Sequence, residues 1–160
     1  MTQRGRFQIK SLVAQQGEVR CHSGLDPLTG LPVLIYTFPG RLAPSLGDLE
    51  SENIAGILAS SFDGKEGQLV VAQAREQRPL REPVAARDVL ALLVDTSRAL
   101  KDAAQAGILH GDLKPERFVK DGSRYLLEGY GVRWQPQASP FAAPDAQREA
   151  SYAGDVYAWA

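Results

Sequence analysis

The segment Leu109–Phe118, which reads LHGDLKPERF, follows a long amphipathic pattern and precedes two short strand patterns. Apolar residues recur near helical spacing over Val84–Gln105, which predicts a helix that Gly107 brings to an end. After the segment, Phe118–Lys120 and Tyr125–Glu128 read as strands joined by a polar turn that contains a glycine. The sequence therefore predicts a helix, a charged loop and a β-hairpin, in that order.

The N-terminal half reads as strands and turns. Pro32–Phe38 is a continuous apolar run that indicates a buried strand, and the Pro-Gly pair after it marks its end. Asp63–Gly67 is typical of a hairpin turn, and a weakly helical pattern over Ala43–Ala59 predicts a short helix before it. The other predicted strands are Phe7–Val13, Glu18–His22 and Gln68–Ala74.

Strand patterns come first in this chain and helical patterns come later, with a linker-like change of composition over Arg75–Pro83. This order predicts the α+β fold class, with strands and helices segregated into two halves. We expect the first half to cover residues 1–76 and the second to cover 77–160. In the second half, Gln135–Pro144 reads as irregular and Ser151–Ala160 as the start of another helix.

The composition limits the classes of protein to which this chain can belong. The chain has 160 residues, of which 44% are apolar, enough for one domain with a sizeable core. A net charge of −1 without a basic stripe argues against nucleic-acid binding. No leader-like or membrane-spanning apolar run is present, and the single Cys21 excludes an intramolecular disulfide. We therefore expect a cytoplasmic protein with no membrane segment in this stretch.

The segment His110–Glu116 resembles the catalytic loop of protein kinases, whose pattern is H-R-D-L-x-x-x-N. The H-G-D opening is also similar to small-molecule phosphotransferases of the aminoglycoside and choline kinase type, but Lys114-Pro115-Glu116 favours bacterial-type serine/threonine protein kinases. In that family the residue matching Asp112 orients the substrate hydroxyl, and the one matching Lys114 contacts the transferred phosphate. The resemblance implies a two-lobe fold, with an antiparallel β N-lobe over 1–76 and a truncated, mainly helical C-lobe over 77–160.

The same region departs from the family pattern at the metal ligands. Arg117 stands where the family has a metal-binding Asn, and Gly129 stands where the D-F-G triplet has its metal-binding Asp. Glu128 lies one residue early and would point to the opposite face of a strand. Gly111 replaces the Arg that partners a phosphorylated activation loop. For Arg117 itself we prefer a surface arginine or an ion pair with a nearby Asp or Glu to a direct role in holding phosphate.

The first half aligns with the nucleotide-binding elements of the family, again with losses. Over Leu12–Val19 only Gly17 and Val19 match the Gly-rich loop. Tyr36 takes the place of the lysine that pairs with the nucleotide phosphates, and a neutral phenol cannot supply that charge. Leu34 replaces a small residue that lies over the adenine, so we expect its side chain to fill part of that pocket.

Three further positions carry structural expectations. Asp155 resembles a family Asp whose carboxylate accepts hydrogen bonds from the catalytic-loop backbone, and Phe141–Asp145 resembles the end of the activation segment. Glu50 or Glu52 would be the regulatory-helix Glu, although we prefer a solvated face for both. The family's last helices have no counterpart here, so we expect uncovered apolar surface on the second half.

Together these matches and losses predict a pseudokinase, a kinase-like regulatory or protein-binding module in signalling that is not an enzyme. Asp112 and Lys114 would be vestigial catalytic residues in a degenerate nucleotide cleft that binds no cofactor. The alternative is an active ATP- and magnesium-dependent serine/threonine kinase or other phosphotransferase, with a site rebuilt from Asp112, Lys114 and Arg117. A nucleotide sensor without transfer is a further reading. We expect a protein partner or self-association through the uncovered surface.

Overall fold

A computed structural model describes residues 3–4, 6–73, 80, 84–134, 140–141, 154–155 and 158. The fold is mixed α+β, as the order of sequence patterns predicts. The chain divides into two compact units. The first contains Met1–Ala43, Gly56–Gln73 and Val132–Gln135, and the second contains Pro44–Ala55, Ala74–Gly131 and Pro136–Ala160.

The first unit is built on an antiparallel sheet of six strands in the order β1-β2-β3-β4-β6-β5. The connections β2–β3 and β5–β6 are tight hairpins, so neighbours in sequence are mostly neighbours in the sheet. The strands are β1 Gln3–Arg4, β2 Phe7–Gln16, β3 Val19–Leu25, β4 Pro32–Pro39, β5 Ile57–Phe62 and β6 Glu66–Ala72.

The central strand β4 carries the core of this unit, which confirms the buried strand predicted from its apolar run. Its six residues over Val33–Phe38 are all buried, although strand side chains alternate between faces. Val33 and Ile35 pack with Phe7 and Val70 on one face of the sheet. Leu34 and Tyr36 point to the other face, so both faces of β4 are covered.

The short helix predicted over Ala43–Ala59 is wrong for most of its length. A 3₁₀ helix covers only Pro44–Asp48. The chain then runs irregularly through a turn to an isolated bridge at Ile54 and enters β5 at Ile57. The backbone of this stretch is bound by β8 (Arg124–Leu127), since Leu127 donates to Asn53 O at 2.9 Å and accepts from Ala55 N at 3.1 Å. Extended pairing therefore replaces helical hydrogen bonds here.

The second unit combines the helix α1 (Ala86–Gln105) with the hairpin of β7 (Phe118–Asp121) and β8. Both were predicted and are confirmed. Thr96, Ala99 and Ala103 lie on the buried face of α1, whereas Val89 is 39% exposed. Small side chains let the helix approach β8 closely, and the Asp95 carboxylate accepts the Tyr125 backbone N–H at 2.8 Å.

Several expectations fall on residues outside the described ranges. These are most of the linker over Arg75–Pro83, the boundary between residues 76 and 77, and most of the stretches Gln135–Pro144, Phe141–Asp145 and Ser151–Ala160. Within the described part of the chain, no helix has the length and apolar character that crossing a bilayer requires.

Gly24 in β3 has no room for a side chain. A Cβ there would lie 2.7 Å from Gln8 O and 2.8 Å from Ile35 Cδ1. We predict that Gly24→Ala lowers the free energy of unfolding by about 1–3 kcal/mol, because an overpacked strand must shift. Gly56→Ala is the matched control, since its Cβ would meet only Ala72 Cβ at 4.0 Å. Equal denaturation midpoints for the two variants would contradict the prediction.

Candidate functional site

The charged loop is anchored where α1 ends. The backbone N–H of Ile108 donates to Ala103 O at 2.9 Å, which turns the chain out of the helix. Ile108 and Leu113 are buried on either side of the loop. Pro115–Arg117 then forms a short 3₁₀ turn that leads directly into β7. The polar side chains of the loop are thus held between two apolar anchors.

His110 is fixed from both of its ring nitrogens. Nε2 lies 2.8 Å from Glu128 O, and because a carbonyl can only accept, Nε2 carries the proton. Nδ1 accepts the Asp112 backbone N–H at 3.2 Å, which requires an unprotonated nitrogen. The ring of Tyr130 packs edge-on against the imidazole, with centroids 4.8 Å apart. The geometry therefore specifies a neutral imidazole with one tautomer.

Burial also favours the neutral form of the His110 imidazole. It lowers the pKa of His110 to about 4, although the Glu128 carbonyl and the carboxylates of Asp155 and Asp112 favour the protonated form. Burial also raises the pKa of the Tyr130 phenol above its usual value. Both rings are consequently neutral at pH 7. The imidazole packs and forms hydrogen bonds, and the phenol ring packs against it.

Asp155 holds the loop backbone, as the resemblance implies for this position. Its Oδ2 accepts the His110 N–H at 2.8 Å and its Oδ1 accepts the Gly111 N–H at 2.9 Å. These two bonds are charge-assisted because their acceptor is a carboxylate. Burial of that carboxylate shields them from water. Asp155 therefore acts on the conformation of the loop, and the expectation of a structural role is confirmed.

The carboxylate of Asp112 lies between two cations. Arg117 donates to Asp112 Oδ2 from Nε at 3.0 Å and also from Nη2. Lys114 Nζ lies 3.0 Å from the same oxygen and 3.3 Å from Oδ1. The side chains of Asp112, Lys114 and Arg117 are only 11%, 22% and 12% exposed, which places the cluster largely out of water. One carboxylate with two cations leaves the cluster net positive.

The local backbone explains why Arg117 reaches Asp112. The 3₁₀ turn is closed by Arg117 N donating to Lys114 O at 2.9 Å, and Glu128 N donates to Arg117 O at 2.8 Å. These bonds hold the arginine backbone against the end of β8, five positions beyond Asp112. The expected ion pair between Arg117 and a nearby acid is thereby confirmed.

Gly129 occupies a backbone conformation that suits glycine. Its φ is +95°, where a Cβ is strained, and the residue is buried. An aspartate at this position would carry that strain, so the absence of the metal-binding side chain matches the local geometry. The preceding Glu128 is buried, and its main-chain groups bond to Arg117 and His110.

In the first unit, Gly17 and Val19 belong to a continuous hairpin. Gln16 pairs with Val19, which leaves a two-residue turn with Gly17 at φ +58°. Residues before the turn pair with β3, where Ala14 opposes Cys21 and a register shift separates Leu12 from Ala14. Val19 is 1% exposed. The hairpin therefore commits most of its amides to strand pairing.

Leu34 and Tyr36 are buried side chains of β4. They are 4% and 2% exposed, respectively. The ring of Trp134 meets the Tyr36 ring edge-on, with centroids 5.9 Å apart and planes at 83°. Trp134 comes from Val132–Gln135, which packs with the first unit although it follows the second in sequence. This face of β4 is thus covered by the chain's own aromatic residue.

The other candidate positions give less support for a functional role. Glu50 and Glu52 are exposed, and Glu52 lies 4.0 Å from Arg124 across a solvated surface. This agrees with the solvated face preferred for them. Among the residues that the structure describes, no group of three or more His, Cys, Asp and Glu side chains is arranged to hold a metal ion.

The structure brings Asp112, Lys114 and Arg117 together and places Val19, Leu34 and Tyr36 in one sheet. Trp134 was not identified from sequence, because its contact with Tyr36 joins residues nearly a hundred positions apart. Comparisons with models of known protein families and with curated protein sequences find no match for this chain. The resemblance of the loop to protein kinases therefore stays a prediction from its residues.

The burial of neutral His110 predicts a pH dependence of stability. Its pKa of about 4 in the folded state lies below the usual 6.5, so the unfolded chain binds more protons between these values. The stabilisation is complete above about pH 6.5 and is lost as the pH falls toward 4. We predict that about 2 kcal/mol of unfolding free energy is lost from this group between about pH 7 and pH 5.

Chemical denaturation of wild type and His110→Gln at both pH values measures this difference. Glutamine supplies a polar side-chain amide, but that amide does not titrate. His22→Gln is the control, because the chain contains two histidines. The His110→Gln protein is less stable throughout but its stability changes less with pH. An unchanged pH slope in His110→Gln would contradict the buried neutral imidazole.

Proposed function

We propose that this chain is a pseudokinase, a two-lobe kinase-like domain that acts as a regulatory or protein-binding module in signalling and does not transfer phosphate. The observation that carries the proposal is the enclosure of the Asp112 carboxylate by Arg117 and Lys114. In this reading residues 1–76 correspond to the N-lobe and 77–160 to a truncated C-lobe.

The enclosed carboxylate is poorly suited to phosphoryl transfer. In kinases this group accepts the proton of the substrate hydroxyl, while metal ions neutralise the phosphate charge. Here Oδ2 of Asp112 already accepts from Arg117 and contacts Lys114. Removing one electrostatic contributor costs an enzyme a factor on the order of 10²–10³ in rate. The replaced metal-ligand positions, Arg117 and Gly129, reduce the expected rate further.

The first unit supports the same proposal independently. Tyr36 cannot supply the positive charge that a phosphate-binding lysine provides. Leu34 and Tyr36 are buried, and Trp134 lies against the Tyr36 ring. In the proposed module this face of β4 serves as packed core where a kinase would receive its nucleotide.

The kinase-like fold itself draws support from the scaffold of the loop. Asp155 accepts two backbone N–H groups of the loop, and the His110 ring bonds to the chain just before Gly129. The resemblance implies the Asp155 contacts. A loop that keeps this framework while its charged centre is changed fits a domain retained for binding.

One observation favours a second candidate, an ATP-dependent phosphotransferase with a rebuilt site. The cluster of Asp112, Lys114 and Arg117 is net positive and 11–22% exposed. Two fixed cations beside a carboxylate resemble the charge pattern that metal ions create in kinases. In that candidate Arg117 and Lys114 hold phosphate and Asp112 takes the hydroxyl proton.

Phosphate transfer separates the two candidates. We predict that wild-type protein and Asp112→Ala incorporate equal, background amounts of radiolabelled phosphate from ATP and magnesium into themselves or a generic protein substrate. Lys120→Ala is the matched control for removing a charge near the loop. Transfer by wild type and Lys120→Ala that is lost in Asp112→Ala would establish the phosphotransferase and overturn the pseudokinase.

Nucleotide binding is tested separately by thermal denaturation. We predict the same melting temperature for wild-type protein with and without ATP and magnesium, because ligand binding to the folded state alone would raise it. We expect no binding because packed side chains, those of Leu34, Tyr36 and Trp134, fill the position that a nucleotide would take. A magnesium-dependent rise of several degrees would contradict a filled site and favour a nucleotide-binding module.

A further inference from the structure

The solvent-facing side of α1 carries an uncovered apolar patch. Leu90, Leu93 and Val94 are 70%, 43% and 39% exposed. They lie at positions i, i+3 and i+4, so they form one stripe on the helix surface. Most isolated surface leucines need no explanation, but a contiguous stripe on one helix commonly marks an interaction site.

The exposed charges on this side of the helix are all positive. We define the outer face of α1 as Arg87, Leu90, Leu93, Val94, Arg98 and Lys101, all of which are exposed. The apolar members occupy its N-terminal half and two of the three cations occupy its C-terminal half. Arg98 remains 65% exposed although it lies 3.9 Å from Asp95.

The acidic residues of α1 point elsewhere and have partners. Asp88 lies 3.7 Å from Lys120 Nζ, and Asp95 accepts the Tyr125 N–H. Asp102 accepts the Ser51 hydroxyl at 2.6 Å. The helix thus separates its charges, with carboxylates turned to the fold and cations turned to solvent around the apolar stripe.

This separation of charge selects among possible occupants. A second copy of the chain docked through the same face would bring only cations to cations, which disfavours self-pairing. An anionic membrane would match the charge, but membrane-surface helices have a large apolar side of Trp, Phe and Leu, whereas the stripe here has three residues. The outer face contains no Trp, Tyr or Phe.

We propose that the outer face of α1 binds an acidic amphipathic helix of a partner protein, with leucine-like side chains on the apolar stripe and Asp or Glu beside Arg98 and Lys101. Helix-on-helix docking of this kind uses apolar anchors at i, i+3, i+4 and i+7 on the partner. The inference rests on the proposed role as a binding module and names the surface and chemistry of that binding.

The probe is a synthetic, fluorescein-labelled helical peptide of about 20 residues, about the length of α1. It carries Leu at helical spacing and Glu on the flanks, and a second peptide has Lys in place of each Glu. Fluorescence anisotropy with the whole chain should detect saturable binding of the Glu peptide only. Affinity should fall as salt rises, because the rim contacts are ionic.

Three variants locate the binding. Leu90→Glu should weaken the Glu peptide at least about tenfold, since it places a charge in the stripe. Lys101→Glu should weaken it several-fold and reduce its salt dependence. Leu28→Glu, at a leucine that is 75% exposed in the β3–β4 turn, should leave affinity unchanged.

Four results with the peptides, the variants or the protein alone would overturn the inference. The Glu peptide does not bind, or both peptides bind equally. Alternatively, only the Leu28→Glu variant loses binding, or light scattering detects dimers that Leu90→Glu abolishes. Leu90-dependent binding to phosphatidylserine vesicles without peptide binding would likewise assign the face to membranes. Asp112-dependent phosphate transfer would refute the pseudokinase without touching these results, so the two proposals fail separately.

Discussion

The carboxylate of Asp112 is held between Arg117 and Lys114, and the chemistry open to the whole loop depends on this arrangement. Two largely buried cations share this one carboxylate, and removing it would leave both of them uncompensated. The same contacts occupy the oxygen that a substrate hydroxyl would have to approach. Under the proposed function, a general base would need the same carboxylate oxygen that the ion pairs already occupy.

The scaffold around the cluster is built from different interactions. Asp155 fixes the backbone of His110 and Gly111, while the His110 ring joins the loop to the chain after β8. None of these bonds requires Arg117 to carry a charge. The loop conformation and the charge at its centre are therefore separable, which is what the proposed pseudokinase requires. The outer face of α1 adds a surface whose charges are turned away from this framework.

The local sequence pattern was sufficient to predict the elements whose residues interact with near neighbours in the chain. The helix α1, the β7–β8 hairpin and the buried strand β4 follow from periodicity and turn residues. The stretch Ala43–Ala59 did not, because its backbone bonds to Leu127 from a distant part of the chain. In the site, the partner of Arg117 was foreseeable since Asp112 lies five residues away, whereas the Trp134 contact with Tyr36 depends on tertiary packing alone.

A double-mutant cycle on Asp112 and Arg117 tests the central interaction most directly. The free energies of unfolding of wild type, Asp112→Asn, Arg117→Gln and the double variant give the coupling between the two side chains. We predict a favourable coupling of at least about 1 kcal/mol, because the pair is largely buried. The exposed pair of Glu52 and Arg124, 4.0 Å apart, should show no measurable coupling in the same cycle. A coupling near zero for Asp112 and Arg117 would mean that the carboxylate is not committed to the arginine, and would contradict the enclosed site.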